Sequence, residues 1–150
     1  MALKLIVFAA LGLASLSPSA YAASPADIAA AVAPEVVQVV SGGNWADGGK
    51  KGGYRAIVVV SAGDAKAQLF IEWLAAGTNG GPPSLVATVA VKEVNELKLP
   101  DATLSSEFEK SNEYTVFVEP NDPSKDSGQS YTIVATVPGK YSFSPGALPE

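Results

Sequence analysis

The sequence predicts an all-β chain: a two-layer antiparallel β-sandwich of about seven strands, preceded by a signal peptide. Three observations lead there. From Glu35 onward, strand-length runs rich in Val, Ile, Thr and aromatic residues follow one another. Several of these runs alternate apolar and polar residues with a period of two. Clusters of Gly, Pro, Asn and Asp separate them, and a single short stretch before Glu35 carries helix signals.

The first residues read as a secretory leader. Met1–Lys4 is a short basic segment, and Leu5–Leu16 is apolar and uncharged. Pro18 and Ser19 break that run, and Ala20-Tyr21-Ala22 places small residues where signal peptidase requires them. Cleavage is expected after Ala22. A membrane anchor would need about 20 apolar residues, more than this run supplies. The chain has no Cys, so a lipid anchor on cysteine is excluded.

Residues 23–34 are expected to form a short helix or a flexible lead-in. Ser24 can cap a helix, Pro25 suits its first position, and Asp27 suits its positive end. Pro34 stops it. The sandwich is expected over 35–144, with 145–150 as a frayed tail. Its strands run Glu35–Ser41, Tyr54–Ser61, Ala67–Leu74, Ser84–Val91, Thr103–Glu109, Tyr114–Glu119 and Ser130–Val137, with a short addition at Tyr141–Phe143. Gly42–Gly53 reads as a glycine-rich loop. In the third strand Leu69, Ile71 and Trp73 share the inner face, opposite Gln68 and Glu72. In the fourth, Leu85, Ala87, Val89 and Val91 point inward. The phase breaks at Lys92, which suggests a bulge or a strand changing sheets. Leu104 and Phe108 share one face of the fifth strand. Tyr131, Ile133, Ala135 and Val137 share the inner face of the seventh.

In strand number and spacing this pattern resembles immunoglobulin-like and fibronectin-type modules, with Trp73 on the third strand as the one marker residue present. The resemblance is one of architecture and implies little about function.

Composition excludes several classes of function. With no His and no Cys, neither a Ser-His-Asp nor a Cys-His site can form, and ordinary zinc sites are ruled out. The net charge of −5 and the single arginine, Arg55, argue against nucleic acid and against anionic membranes. Gly48-Gly49-Lys50-Lys51-Gly52-Gly53 lacks the spacing of a phosphate-binding loop. No cofactor is expected. A disulfide-free exported domain without a glycosylation sequon points to a bacterial periplasmic or secreted protein. No membrane insertion is expected after cleavage. Carboxylates alone could support a hydrolase, but Glu72, Glu107, Glu109 and Glu119 sit where alternation makes them solvated.

If successive strands alternate in direction, Gly42–Gly53, Ala75–Pro83 and Lys110–Glu113 share one end. That end gathers the candidate binding residues Asn44, Trp45, Lys50, Lys51 and Asn79. Trp45 is either a binding anchor or a lid folded over the core. The other end gathers Asp64, Asp101, Glu119, Asp122 and Asp126 beside Asn121, where calcium could find oxygen ligands. The spacing fits no EF-hand, and Lys66 and Lys125 oppose a cation. A charged, solvated turn is the simpler account, and no metal is expected. The function expected is that of a non-enzymatic exported module binding a protein or saccharide through its loops. A calcium-stabilised structural domain and a carboxylate-dependent hydrolase are the alternatives.

Overall fold

A computed structural model describes residues 24–61, 63, 66–108, 110–121 and 130–146. The leader and its cleavage site lie outside them, as do Asp64, Glu109, Asp122, Lys125 and Asp126. The segment after the leader is a helix, α1 (Pro25–Ala30). Ser24 and Asp27 form a reciprocal capping box, in which the Ser24 hydroxyl donates to the Asp27 carboxylate at 2.7 Å. That bond, with the one from the Ser24 backbone, holds the Asp27 carboxyl below its ordinary pKa. α1 belongs to a unit separate from the sandwich, which begins at Ala33.

Eight strands make up the described part of the sandwich. The first sheet is β1 (Val36–Asp47), β2 (Lys50–Val60), β3 (Ala67–Ala75) and β4 (Ser84–Ala90), paired in that order. A short helix, α2 (Lys92–Glu96), leads to the second sheet. That sheet is β5 (Ala102–Glu107), β6 (Tyr114–Pro120), β7 (Ser130–Ala135) and β8 (Tyr141–Gly146), again in chain order. Every pairing is antiparallel. The likeness to immunoglobulin-type modules therefore holds for the two packed sheets and not for the connections. Those modules weave strands between sheets, whereas each sheet here is a meander.

Alternation builds the core as expected for Leu69, Ile71, Trp73, Tyr131, Ile133 and Ala135, all buried. Tyr54 of β2 stacks on Tyr114 of β6 with ring centroids 5.3 Å apart, and Trp73 meets Tyr54 edge-on at 6.1 Å. The Thr136 carbonyl, just past β7, accepts hydrogen bonds from both the Tyr54 hydroxyl and Trp73 Nε1, each at 2.8 Å. Two side-chain amides extend the backbone ladders. Gln38 of β1 donates to the Leu104 carbonyl at 3.0 Å and accepts from the Leu104 N–H at 2.9 Å, joining the edges of the two sheets. Asn95 of α2 bonds the N–H and C=O of Leu69 at 2.7 and 3.3 Å, continuing the ladder where β4 ends.

Several expectations need correction. Gly42–Gly53 is not a loop, because β1 runs to Asp47 and β2 starts at Lys50. The turn is Gly48-Gly49 alone, with φ of 54° and 79°. Positive φ at both central residues is what a tight two-residue hairpin requires. Leu85 is 58% exposed, because the β3–β4 register slips between the Trp73–Ala87 and Leu74–Leu85 pairs. That slip turns the start of β4 to the other face. The break at Lys92 is a helix, and the chain changes sheets through it. Phe108 lies beyond the end of β5 and is 62% exposed. Val137 is exposed in the turn after β7. β8 is a full strand that takes in Pro145 and Gly146 of the expected tail. Its edge position tolerates Pro145.

Candidate functional site

The three loops expected at one end are linked there. The Asn112 N–H donates to the Asn44 carbonyl at 2.9 Å, and the Ala46 N–H donates to Asn112 Oδ1 at 2.6 Å. The Ala76 N–H donates to the Lys51 carbonyl at 3.0 Å. Asn112 holds a left-handed backbone, φ 63°, that asparagine tolerates better than most residues.

An open pocket of about 630 Å³ lies at this end of the first sheet. Four glycines line it, Gly42, Gly43, Gly52 and Gly53, with Leu74, Ala76 and Pro83 adding apolar surface. β1 is bulged here. Gly42 pairs with Tyr54 and Trp45 pairs with Gly52, so Gly43 and Asn44 together oppose Gly53. Gly52 could not be replaced, because a Cβ there would overlap the Leu74 carbonyl. Asn44 and Lys51 supply the polar side chains, and Ser41 a hydroxyl.

Of the expected binding residues, Asn44 and Lys51 line the pocket and are exposed. Trp45 also contributes to the lining, yet it is only 1% exposed and its Nε1 donates to the Gly53 carbonyl at 3.0 Å. It is a lid over the core end, not a projecting anchor, and its buried indole N–H has the partner it needs. Lys50 and Asn79 do not line the pocket. Lys50 pairs with Asp47 beside the hairpin turn. Asn79 sits at φ 53° in a single 3-10 turn, Thr78–Gly80. Leu74, Ala76, Pro83 and the glycine backbone were not anticipated. The adjacent pairs Gly52-Gly53 and Pro82-Pro83 were the available signal, since the first has no side chains to fill space and the second supplies rigid apolar rings. Tyr54, which also lines the pocket, has its pKa pushed up to about 12 by burial and then by the nearby Glu113 charge.

The acidic end is organised by hydrogen bonds. Asn121 Nδ2 donates to the Asp101 carboxylate at 3.2 Å and to Thr103 Oγ1 at 2.9 Å, and its N–H donates to the Asp101 carbonyl at 3.3 Å. The Asp101 carboxylate also accepts from the Ala102 N–H at 2.8 Å. Glu119 is half-buried on β6. Asp64, Asp122 and Asp126, the other carboxylates expected beside it, lie outside the described residues. Among the described residues, no three His, Cys, Asp or Glu side chains group as a metal cage.

Glu72 faces outward, as alternation required, but it is buried rather than solvated. Arg55 covers it, with Nε at 2.7 Å and Nη2 at 2.5 Å from the same carboxylate oxygen. Glu107 lies on the second sheet and is exposed. Compared with known proteins, the chain matches no family model, no curated protein and no solved structure.

Proposed function

We propose that this chain is an exported, non-enzymatic binding module that takes a protein or saccharide partner at the β1–β2 hairpin end of its first sheet. The observation that carries this reading is the pocket itself, whose lining combines four glycines with Leu74, Ala76 and Pro83. Concave apolar surface with a few polar groups is the usual form of a binding site. Asn44 can both donate and accept a hydrogen bond, and Lys51 brings a cation to a chain of net charge −5.

A polypeptide segment fits this surface better than a sugar. Saccharides are commonly held against an exposed ring, and the indole of Trp45 is turned into the core. The leader Met1–Ala22 supports an address outside the cytoplasm, periplasmic or secreted.

Ala76→Trp tests the proposal, because Ala76 is an exposed residue on the pocket wall and an indole there would fill it. The unmodified protein should retain a polypeptide from an envelope extract of its source. The Ala76→Trp variant, with an unchanged melting temperature, should release it. Equal retention by both, or binding only to a panel of glycans, would refute a polypeptide site here.

A further inference from the structure

The two sheets have four lateral edges, β1, β4, β5 and β8. An open edge offers unpaired N–H and C=O groups to any other strand, and folded proteins protect such edges. Three of these four are managed. β1 and β5 face one another through Gln38 and Leu104. β8 carries Pro145, which has no N–H to offer. β4 has no such device along its regular part. The chain holds no charged residue from Trp73 to Val91 and no proline within β4. Among the described residues, no strand pairs with its outer side.

The direction of the free groups follows from one bond. The Val91 N–H donates to the Leu69 carbonyl at 2.9 Å, in register with the Phe70–Ala90 and Ile71–Val89 pairs. Antiparallel ladders alternate, so Val89 and Ala87 bond towards β3. Thr88 and Ala90 direct their N–H and C=O away from it. The bulge at Val86 lies towards the far end of the strand and leaves this stretch regular.

We propose that β4 pairs antiparallel with β4 of a second copy of this chain, about a two-fold axis at Thr88, so that two four-stranded sheets become one. The argument for a copy is charge. At net −5, much of the molecule repels its own kind. The stretch from Trp73 to Val91 brings no carboxylate to the contact. With the axis at Thr88, Ala90 falls opposite Val86, and no charged residue lies within the paired stretch, since Lys92 already belongs to α2. Thr88 meets its own counterpart, a favourable cross-strand pair. The exposed Val86 comes to lie against Ala90 of the copy, on the outer face that Thr88 shares. A two-fold contact of one patch with itself closes, so assembly stops at the dimer.

The chain has no cysteine, so Thr88→Cys introduces a single thiol. Directly paired residues of a hydrogen-bonded antiparallel pair have Cα atoms about 5.5 Å apart, within the range a disulfide spans. Under mild oxidation, Thr88→Cys should form a covalent dimer at least about tenfold faster than Ser142→Cys, an exposed control on β8. Sedimentation of the unmodified protein over a concentration series should show a monomer–dimer equilibrium. Thr88→Lys sets two ammonium groups across the axis and should weaken it about tenfold or more. Thr88 is exposed, and unchanged circular dichroism and melting of the variants establish that they fold. A monomer at every concentration would overturn the proposal. So would a dimer indifferent to Thr88→Lys, or equal cross-linking of the two cysteine variants.

Discussion

The Thr136 carbonyl gives the sharpest test of how the two sheets are held together. It accepts two hydrogen bonds from the first sheet, from the Tyr54 hydroxyl and Trp73 Nε1, both at 2.8 Å. Tyr54→Phe removes one and leaves the other, so the carbonyl stays satisfied. The expected cost is that of one net hydrogen bond, about 0.5–1.5 kcal/mol. Trp73→Phe removes the second donor and part of a ring that is fully buried. It should cost more, through lost packing, but again the carbonyl keeps a partner. The double variant removes both donors and strands the oxygen between the sheets, adding a desolvation penalty of about 1–3 kcal/mol. The loss in the double variant should therefore exceed the sum of the singles by about 1 kcal/mol or more. Urea unfolding followed by far-UV circular dichroism measures all four corners of the cycle without relying on tryptophan fluorescence. Additivity within about 0.3–0.5 kcal/mol would mean that the shared carbonyl does not couple the two side chains, and the reasoning fails.

Four other outcomes are expected. Gln38→Leu leaves both the N–H and the C=O of Leu104 without their side-chain partner and should cost about 1–3 kcal/mol in urea melts; a neutral result would show that water replaces the amide. Tyr54 holds its proton to about pH 12 when folded, while the unfolded side chain loses it near the ordinary tyrosine value of 10.0. Unfolding then releases a proton between those values, so stability should fall as pH rises from about 10 to about 12. Burial raises Tyr114 and Tyr141 in the same direction, so Tyr54→Phe should shrink this fall without abolishing it, and an undiminished fall would argue against the Tyr54 share. Thermal melts in excess calcium and in chelator should nearly coincide, whereas a site filled at 100 times its dissociation constant would add about 2.7 kcal/mol. Mass spectrometry of exported protein should find Ala23 at the N-terminus, and an intact Met1 there would sink the export reading.

What could be read in the sequence followed from strict alternation. Leu69, Ile71 and Trp73 announced an inner face because a strand leaves no other option for a period of two. The same rule misplaced Leu85, because the slip at Val86 inserts one residue and reverses every side chain beyond it, and a bulge of this kind has no compositional mark. Glycine misled between Gly42 and Gly53. Its propensity speaks for a turn, and the pressure that keeps Gly52 in a strand, the approach of Leu74 on β3, comes from a partner remote in sequence. The pocket was hidden for a related reason, since the four glycines that help to line it leave no pattern of side chains. Trp45 was legible as a residue that matters, but its direction depended on the bulge that precedes it. α2 escaped notice because its N-cap, Val91, makes no side-chain cap hydrogen bond.

The order of strands bears on how the chain folds. Neither sheet borrows a strand from the other half of the sequence, so each hairpin closes a short loop and the chain passes between sheets once, through α2. Loop-closure entropy is the main reason that woven all-β sandwiches fold slowly. Here that entropy is spread over small steps, with one larger closure when the sheets dock through Gln38, Tyr54 and Trp73. Refolding should therefore be faster than is usual for sandwiches of this length with interleaved strands. The two meanders, 33–91 and 97–146, are candidates for separate fragments that find each other in solution and restore the native circular dichroism.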